Sequence, residues 1–246
     1  MKLTPSISLV GSGVLGFGLS DDYDCHVYWV DGGTESALID AGGGRNPDAI
    51  HANIVKDGHD FSKLRYVLLT HYHADHAGGA AGWKKTTGAQ VICAHDAADA
   101  MTKGDEHAIS LDLARQYGYY PADYRFSACA IDRKVGEGDR IKIGQWTLEV
   151  LDTPSQARGH LCFKGEIDGL KVVFTGDTVF YGGTIGLIAT YDCNLQDYAK
   201  SVIKLGKLDV NAFFPGHGPF DLKDGGKHLR DAASRFERMV VPRNYF

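Results

Sequence analysis

Long apolar runs are absent from this sequence. A helix that spans a membrane needs about 20 consecutive apolar residues, and no segment approaches that length. The first residues, Met1 to Pro5, contain one lysine with no apolar core behind it, so they do not resemble a secretory signal. We therefore expect no membrane partner and a location in the cytoplasm.

An excess of positive charge is also absent. The chain has 26 basic and 31 acidic residues, which gives a net charge of −5. Proteins that bind nucleic acid usually carry a basic patch that contacts the phosphates. We therefore expect a small-molecule substrate and no nucleic-acid partner.

Closely spaced cysteines, the usual sign of a disulfide framework or a zinc knuckle, are missing too. The number of cysteines is odd and none forms a Cys-x-x-Cys pair: Cys25, Cys93, Cys129, Cys162 and Cys193. Free thiols in a reducing compartment explain this spacing best.

No internal repeat or low-complexity linker divides the chain. A chain of 246 residues with 43% hydrophobic content can bury a substantial core. We therefore predict a single domain over residues 1–246. The composition does not define the oligomeric state, and a homo-oligomer is one of the states it allows.

The most informative feature that is present is a histidine cluster behind an apolar run. His71, His73, Asp75 and His76 lie within six residues and directly follow Tyr66–Leu69. Two histidines at i and i+2 can point the same way where an extended strand ends. Imidazole and carboxylate ligands together suit zinc, iron or manganese. The cluster predicts a metal site at the end of a buried strand.

Two later segments repeat this arrangement of an apolar strand followed by a ligand-type side chain. Asp177 follows the apolar segment 172–176, and His217 follows 213–216. Three strand ends therefore carry candidate metal ligands.

Together these motifs resemble the metallo-β-lactamase superfamily of metal-dependent hydrolases. The resemblance rests on His71-x-His73-x-Asp75-His76, the Gly176-Asp177 pair and Pro215-Gly216-His217. It implies that His71, His73 and a third residue hold one metal, that Asp75, His76 and His217 hold a second, and that Asp177 bridges both. It also implies catalytic roles for Asp75 and Asp177.

One turn departs from the family pattern. The superfamily usually has a ligand histidine in a Thr-Pro-Gly-His-x-x-Gly turn, whereas this chain reads Thr153-Pro154-Ser155-Gln156. An amide oxygen is a weaker zinc ligand than imidazole, so the first metal should be held more loosely. His160 could compensate only along a bent path, because four extended residues span about 13 Å.

Hydrophobic periodicity predicts strands in two series, with helices after each. The predicted strands are 6–10, 25–30, 37–41, 66–70, 90–94, 140–143, 146–151, 160–164, 171–174 and 210–214. The predicted helices are 46–56, 195–205 and 227–239. Two series of strands predict an α/β (α+β) fold, and the resemblance implies the same αββα sandwich of two mixed β-sheets flanked by helices.

Three loop segments invite further interpretation. Residues 105–132 are rich in tyrosine, which fits either a wall for an apolar substrate group or a helical excursion with structural tyrosines. The glycine-rich segment 11–18 lacks the helix of a dinucleotide site, so a loop at the rim of the site is the better interpretation. Tyr181 or Tyr191 could reach a substrate oxygen, although either is more often structural.

The expected activity is hydrolysis of an acyl compound such as a lactone, ester, thioester or β-lactam-like amide. Bound zinc, as one or two ions, with iron or manganese as alternatives, would lower the pKa of bound water so that metal-bound hydroxide attacks the acyl carbon. Ser155 lacks a dedicated base and is expected to be a turn residue. The alternatives are an iron-dependent oxidoreductase of the same superfamily and a metal-binding protein without turnover.

Overall fold

Eleven β-strands form two sheets in the computed structural model, which describes residues 1–246. The first sheet has the order β1-β2-β3-β4-β5-β6, with β1 (Ile7–Gly11), β2 (Val27–Asp31), β3 (Ser36–Ile39), β4 (Leu64–Leu68), β5 (Gln90–Ala94) and β6 (Arg133–Val135). The second has the order β11-β10-β9-β8-β7, with β7 (Arg140–Ile143), β8 (Trp146–Asp152), β9 (Leu161–Ile167), β10 (Leu170–Gly176) and β11 (Ala212–Pro215). Both sheets are mixed: β3 to β6 and the β10–β11 pair are parallel, and the other pairs are antiparallel.

Seven α-helices flank the sheets: α1 (Pro47–Lys56), α2 (Ala74–Ala77), α3 (Ala80–Thr87), α4 (His95–Lys103), α5 (Leu111–Gln116), α6 (Leu195–Leu205) and α7 (Gly225–Glu237). Helices α1, α3 and α4 contact the first sheet, whereas α6 and α7 pair with each other and α7 contacts β11. None of the seven combines the length and the apolar character that crossing a bilayer requires.

The core lies where the two sheets face each other. Tyr28 of the first sheet meets Phe174 and Phe214 of the second edge-on, with ring centroids 5.5 and 5.4 Å apart. Its hydroxyl donates a hydrogen bond to the Pro215 carbonyl at 2.8 Å. Burial of one such aromatic side chain stabilises a fold by about 1.5–3 kcal/mol. This packing sets the end of β11, and therefore the turn that follows it, against the first sheet.

The predicted sandwich of two mixed sheets flanked by helices is confirmed. Helix α6 has the predicted bounds, because Tyr198, Val202 and Leu205 recur at the spacing of one buried helix face. Helix α7 ends two residues before the predicted end, at Glu237, and Met239 has a positive φ of 59°. Helices α2 to α5 and strand β6 were not predicted, because these short segments carry too few residues to show a period.

Candidate metal centre

The ends of β4, β10 and β11 deliver the candidate ligands to one edge of the sandwich. After β4, residues 69–73 leave the sheet and lead into α2, which carries Asp75 and His76. Asp177 follows β10 directly, and His217 is the second residue after β11. The Gly216 N–H donates to the Gly176 carbonyl at 2.8 Å, so the parallel β10–β11 pair holds these two strand ends side by side.

Asp75, His76 and His217 form what we call the His217 side of the centre. Asp75 Oδ2 lies 3.1 Å from His217 Nε2 and 3.4 Å from His76 Nε2. Asp177 adjoins this set, with Oδ1 3.3 Å from His76 Nε2 and Oδ2 3.6 Å from His217 Nε2. Atoms that could ligate a metal, from α2 and from the ends of two strands, therefore face one another.

His71, His73 and Gln156 form the Gln156 side. His71 Nε2 lies 3.2 Å from His73 Nδ1 and 3.3 Å from Gln156 Nε2. The Gln156 amide donates a hydrogen bond to Asp177 Oδ2 at 2.7 Å. The fully buried Gln156 therefore takes the third position of this side, and Asp177 contacts both sides.

His160, the alternative third ligand, faces other partners. Its Nε2 accepts a hydrogen bond from the Asp177 N–H at 3.1 Å, and its Nδ1 lies 3.1 Å from the hydroxyls of Thr153 and Thr178. Burial lowers the pKa of His160 to about 3, so the ring is neutral and can accept that bond. His160 thus supports Asp177 and stacks on His71, with centroids 4.8 Å apart.

Asp40 contacts the centre and was not identified from the sequence. Its Oδ2 lies 2.8 Å from His76 Nδ1, and the Thr70 N–H and hydroxyl donate to its carboxylate. A carboxylate behind a ligand histidine orients the ring and makes its other nitrogen a better donor. The available signal was its place after the apolar residues 37–39, directly before Ala41 and three glycines.

Buried charges of opposite sign shift the pKa values in the centre. Burial raises the pKa of a carboxyl, yet the rings of His217 and His76 hold that of Asp177 at about 2. The same two rings hold the pKa of Asp75 well below its usual range against the effect of burial. Burial would lower the pKa of His76, but Cys25 and, after it, three neighbouring carboxylates raise it well above the ordinary value. The centre therefore concentrates negative charge around imidazole nitrogens.

Unpaired atoms test whether these residues fit a metal ion. His73 Nε2, His76 Nε2, Gln156 Oε1 and Asp177 Oδ1 are buried without a hydrogen-bond partner. A buried polar atom left unpaired costs about 1–3 kcal/mol, so four in one cluster call for a ligand. Imidazole nitrogens and carboxylate oxygens are the donors that Zn²⁺ binds. The residues fit a divalent metal of this kind.

Position 216 has room only for glycine. A Cβ atom there would lie 2.2 Å from Asp177 Oδ1 and 2.7 Å from His76 Cε1. The backbone of the His217 turn therefore passes directly beside two candidate ligands.

The remaining predicted residues have other surroundings. Ser155 is buried, and its Oγ lies 3.3 Å from the Thr178 hydroxyl with no base beside it, as expected of a turn residue. The rings of Tyr181 and His228 pack at a tilt, as do those of Tyr191 and His107, so both tyrosines pair with protein side chains.

The glycine-rich segment lies at the rim, as predicted. Phe17 stacks on His26 with centroids 5.5 Å apart, and His26 Nε2 lies 2.7 Å from the Gly218 carbonyl. Gly218 in turn donates its N–H to the Leu15 carbonyl. The segment therefore packs against the turn that carries His217.

Curated relatives are similar to this chain over much of its length. An atrochrysone carboxyl ACP thioesterase of Aspergillus fumigatus is 27% identical over 223 residues, which cover 88% of this chain and 58% of that protein. A hydroxyacylglutathione hydrolase of Rhodopseudomonas palustris is 30% identical over 202 residues, covering 81% and 63%. A second hydroxyacylglutathione hydrolase, from Nitrobacter winogradskyi, is 30% identical over 155 residues, covering 63% and 48%. The chain spans about half the length of the curated relatives it matches.

Solved structures and a family model identify the fold and the family of this chain. BJP-1, a subclass B3 metallo-beta-lactamase of Bradyrhizobium japonicum, superposes with a TM-score of 0.73 at 24% identity, covering 97% of this chain and 91% of that one. A Cronobacter sakazakii metallo-beta-lactamase with a HARLDQ motif superposes with a TM-score of 0.74 at 21% identity, covering 97% and 96%. The family model described as the Metallo-beta-lactamase superfamily matches residues 20–217. The chain therefore belongs to the metallo-beta-lactamase superfamily.

Proposed function

We propose that this protein is a metal-dependent hydrolase of acyl compounds and that its substrate is a thioester. The thioester proposal draws on the relatives, which are an acyl-carrier-protein thioesterase and hydroxyacylglutathione hydrolases. An acyl group on glutathione is joined through sulfur, so both names describe cleavage of a thioester. These names favour hydrolysis over the redox alternative.

One observation carries the proposal: Asp75, His76, Asp177 and His217 converge with unpaired donor atoms. Of the four, His76 Nε2 and Asp177 Oδ1 are buried without a hydrogen bond and lie 3.3 Å apart. Neither atom has a hydrogen bond elsewhere, and a divalent cation would satisfy both at once.

The metal content should differ between the two sides. The His217 side offers two imidazoles and a carboxylate, the usual set for zinc. The Gln156 side offers two imidazoles, but its third member points an amide N–H at Asp177. An N–H group cannot ligate a metal, and the amide oxygen is a weaker ligand than imidazole. We infer one tightly held zinc on the His217 side and a second, weak site formed by His71, His73 and Gln156.

A zinc ion in this centre would lower the pKa of a bound water towards neutrality and polarise the substrate carbonyl. Asp177, with its pKa near 2, is ionised at neutral pH and can accept a hydrogen bond from the attacking water. His160 holds the Asp177 backbone in place through the 3.1 Å bond to its N–H. Asp75 is the second carboxylate that can orient this water or take its proton. No serine or cysteine nucleophile is needed, which agrees with the lack of a base beside Ser155.

Metal analysis combined with a substrate panel tests the proposal. We expect the purified protein to retain about one zinc per chain and to hydrolyse an acyl thioester faster than the matched ester or lactone. The His217→Ala variant, prepared in parallel, serves as the control because it lacks one member of the complete ligand set. Iron with no hydrolysis would favour the redox alternative, and retained zinc without turnover of any acyl compound would favour a binding protein.

A further inference from the structure

Tyr120 contacts the candidate ligand Asp75 at two points. Its hydroxyl donates a hydrogen bond to Asp75 Oδ1 at 2.9 Å and accepts one from the Asp75 backbone N–H at 3.1 Å. These two residues are 45 positions apart in the chain. The tyrosine-rich segment between the two series of strands therefore reaches the metal centre through one phenol group.

Neighbouring aromatic side chains hold the Tyr120 ring in place. The ring stacks on Tyr124 with centroids 5.3 Å apart and an interplanar angle of 19°, and Tyr23 packs against it at 5.8 Å. The Tyr124 hydroxyl donates to the Gly43 carbonyl at 2.7 Å, which ties this pair to the loop after β3. The position of the Tyr120 hydroxyl is thus set by contacts outside the metal centre.

This arrangement leaves one oxygen of Asp75 for the centre. Because Tyr120 occupies Oδ1, the carboxylate presents Oδ2 to His217 and His76, at 3.1 and 3.4 Å. Asp75 needs such support, since its side chain is 19% exposed while those of His76, Asp177 and His217 are at most 4% exposed. Helix α2, which carries Asp75, is only four residues long.

We propose that Tyr120 is a positioning residue that holds the Asp75 carboxylate with Oδ2 directed at the metal. The inference rests on the proposed function, because it assumes that Asp75 is a metal ligand. It assigns a role to the tyrosine-rich segment that differs from an apolar substrate wall.

The test compares Tyr120→Phe with Tyr124→Phe. Both variants keep the stacked rings and lose one hydrogen-bonded hydroxyl, but only the first loses a bond to Asp75. The readout is the zinc affinity of the demetallated protein, measured by competition with a chromophoric chelator. Loss of a group that orients a metal ligand typically costs about 10–100-fold in affinity. We expect such a loss in Tyr120→Phe and a clearly smaller one in Tyr124→Phe, which keeps the stacked rings and the bond from Tyr120 to Asp75.

A double-mutant cycle separates positioning from a general loss of structure. In the Asp75→Ala background, Tyr120→Phe should weaken zinc binding no further, because the carboxylate that it positions is gone. An equal loss in both backgrounds would overturn the inference, as would wild-type zinc affinity in Tyr120→Phe. A wild-type protein that binds no zinc would instead overturn the proposed function and this inference with it.

Discussion

The two sides of the metal centre share Asp177 but differ in the group that accompanies their two histidines. On the Gln156 side, His71 Nε2 already lies within 3.3 Å of another ring nitrogen and of the Gln156 amide. On the His217 side, His76 Nε2 is buried without a hydrogen-bond partner. Each side therefore keeps one unpaired ring nitrogen, His73 Nε2 or His76 Nε2. The sides differ in the third group, which is an amide with its N–H directed at Asp177 on one side and the Asp75 carboxylate on the other.

The contacts that orient the ligand side chains also differ between the two sides. On the His217 side, the Asp40 carboxylate contacts His76 Nδ1, and the Tyr120 hydroxyl donates a hydrogen bond to Asp75. On the Gln156 side, His71 stacks on the neutral ring of His160, with no carboxylate ligand other than the shared Asp177. Because negative charge and oriented rings favour a cation, the contrast predicts unequal metal affinity within one cluster. Four experiments can break or sharpen it.

The largest effect is expected from removing the carboxylate that both sides share. Asp177→Ala should abolish hydrolysis and strip the metal, because this residue contacts His76, His217 and Gln156. Ser155→Ala is the matched control, a buried neighbour that should keep most of the rate. Activity in Asp177→Ala would contradict the shared role of Asp177, and an inactive serine variant with unchanged zinc content would point to covalent catalysis instead.

Removing one histidine from each side compares the zinc affinity of the two sides directly. His217→Ala should lose the tight zinc equivalent, whereas His73→Ala should keep it and lose only the weak one. Elemental analysis after extensive dialysis measures the tight equivalent, and titration of the dialysed proteins with excess zinc measures the weak one. Equal zinc loss in the two variants would contradict the asymmetry.

Metal removal should lower stability through the His217 side. Zinc at 100 times its dissociation constant adds about 2.7 kcal/mol to the free energy of unfolding. In a chain of this size, that corresponds to a melting temperature higher by roughly 5–11 °C, at about 2–4 °C per kcal/mol. Thermal unfolding with chelator, and again with one equivalent of zinc restored, measures the difference. If the melting temperature rises only after a second equivalent of zinc is added, the two sides bind zinc with similar affinity.

The smallest effect is expected from repairing the Gln156 side. Gln156→His would replace the amide with an imidazole beside His71, and the second zinc equivalent should bind about tenfold more tightly, or about 1.4 kcal/mol. Calorimetric titration of both apoproteins measures this gain. His160→Ala provides the comparison, since a weak second site that persists in that variant agrees with the contacts that His160 makes elsewhere. An unchanged second site in Gln156→His, with its loss in His160→Ala, would reverse the assignment.

Local patterns predicted most of the strands and the long helices, because a buried strand or an amphipathic helix shows its period within about ten residues. The pattern failed for α2 to α5, where the segments are short and rich in alanine and polar residues. Of these helices, α3 and α4 contact the first sheet, so tertiary packing and not a local period accompanies their formation.

The sequence by itself determined which side chains stand at the ends of β4, β10 and β11, because each follows a recognisable apolar run. Only the tertiary structure decided which groups these side chains contact. The choice between Gln156 and His160 depends on a turn whose path no local pattern encodes. This turn places the Gln156 amide against the Asp177 carboxylate and the His160 ring against the Asp177 backbone N–H. The contacts of Asp40 and Tyr120 join residues 36 and 45 positions away, so only packing of the sheets and of the tyrosine-rich segment brings them to the centre.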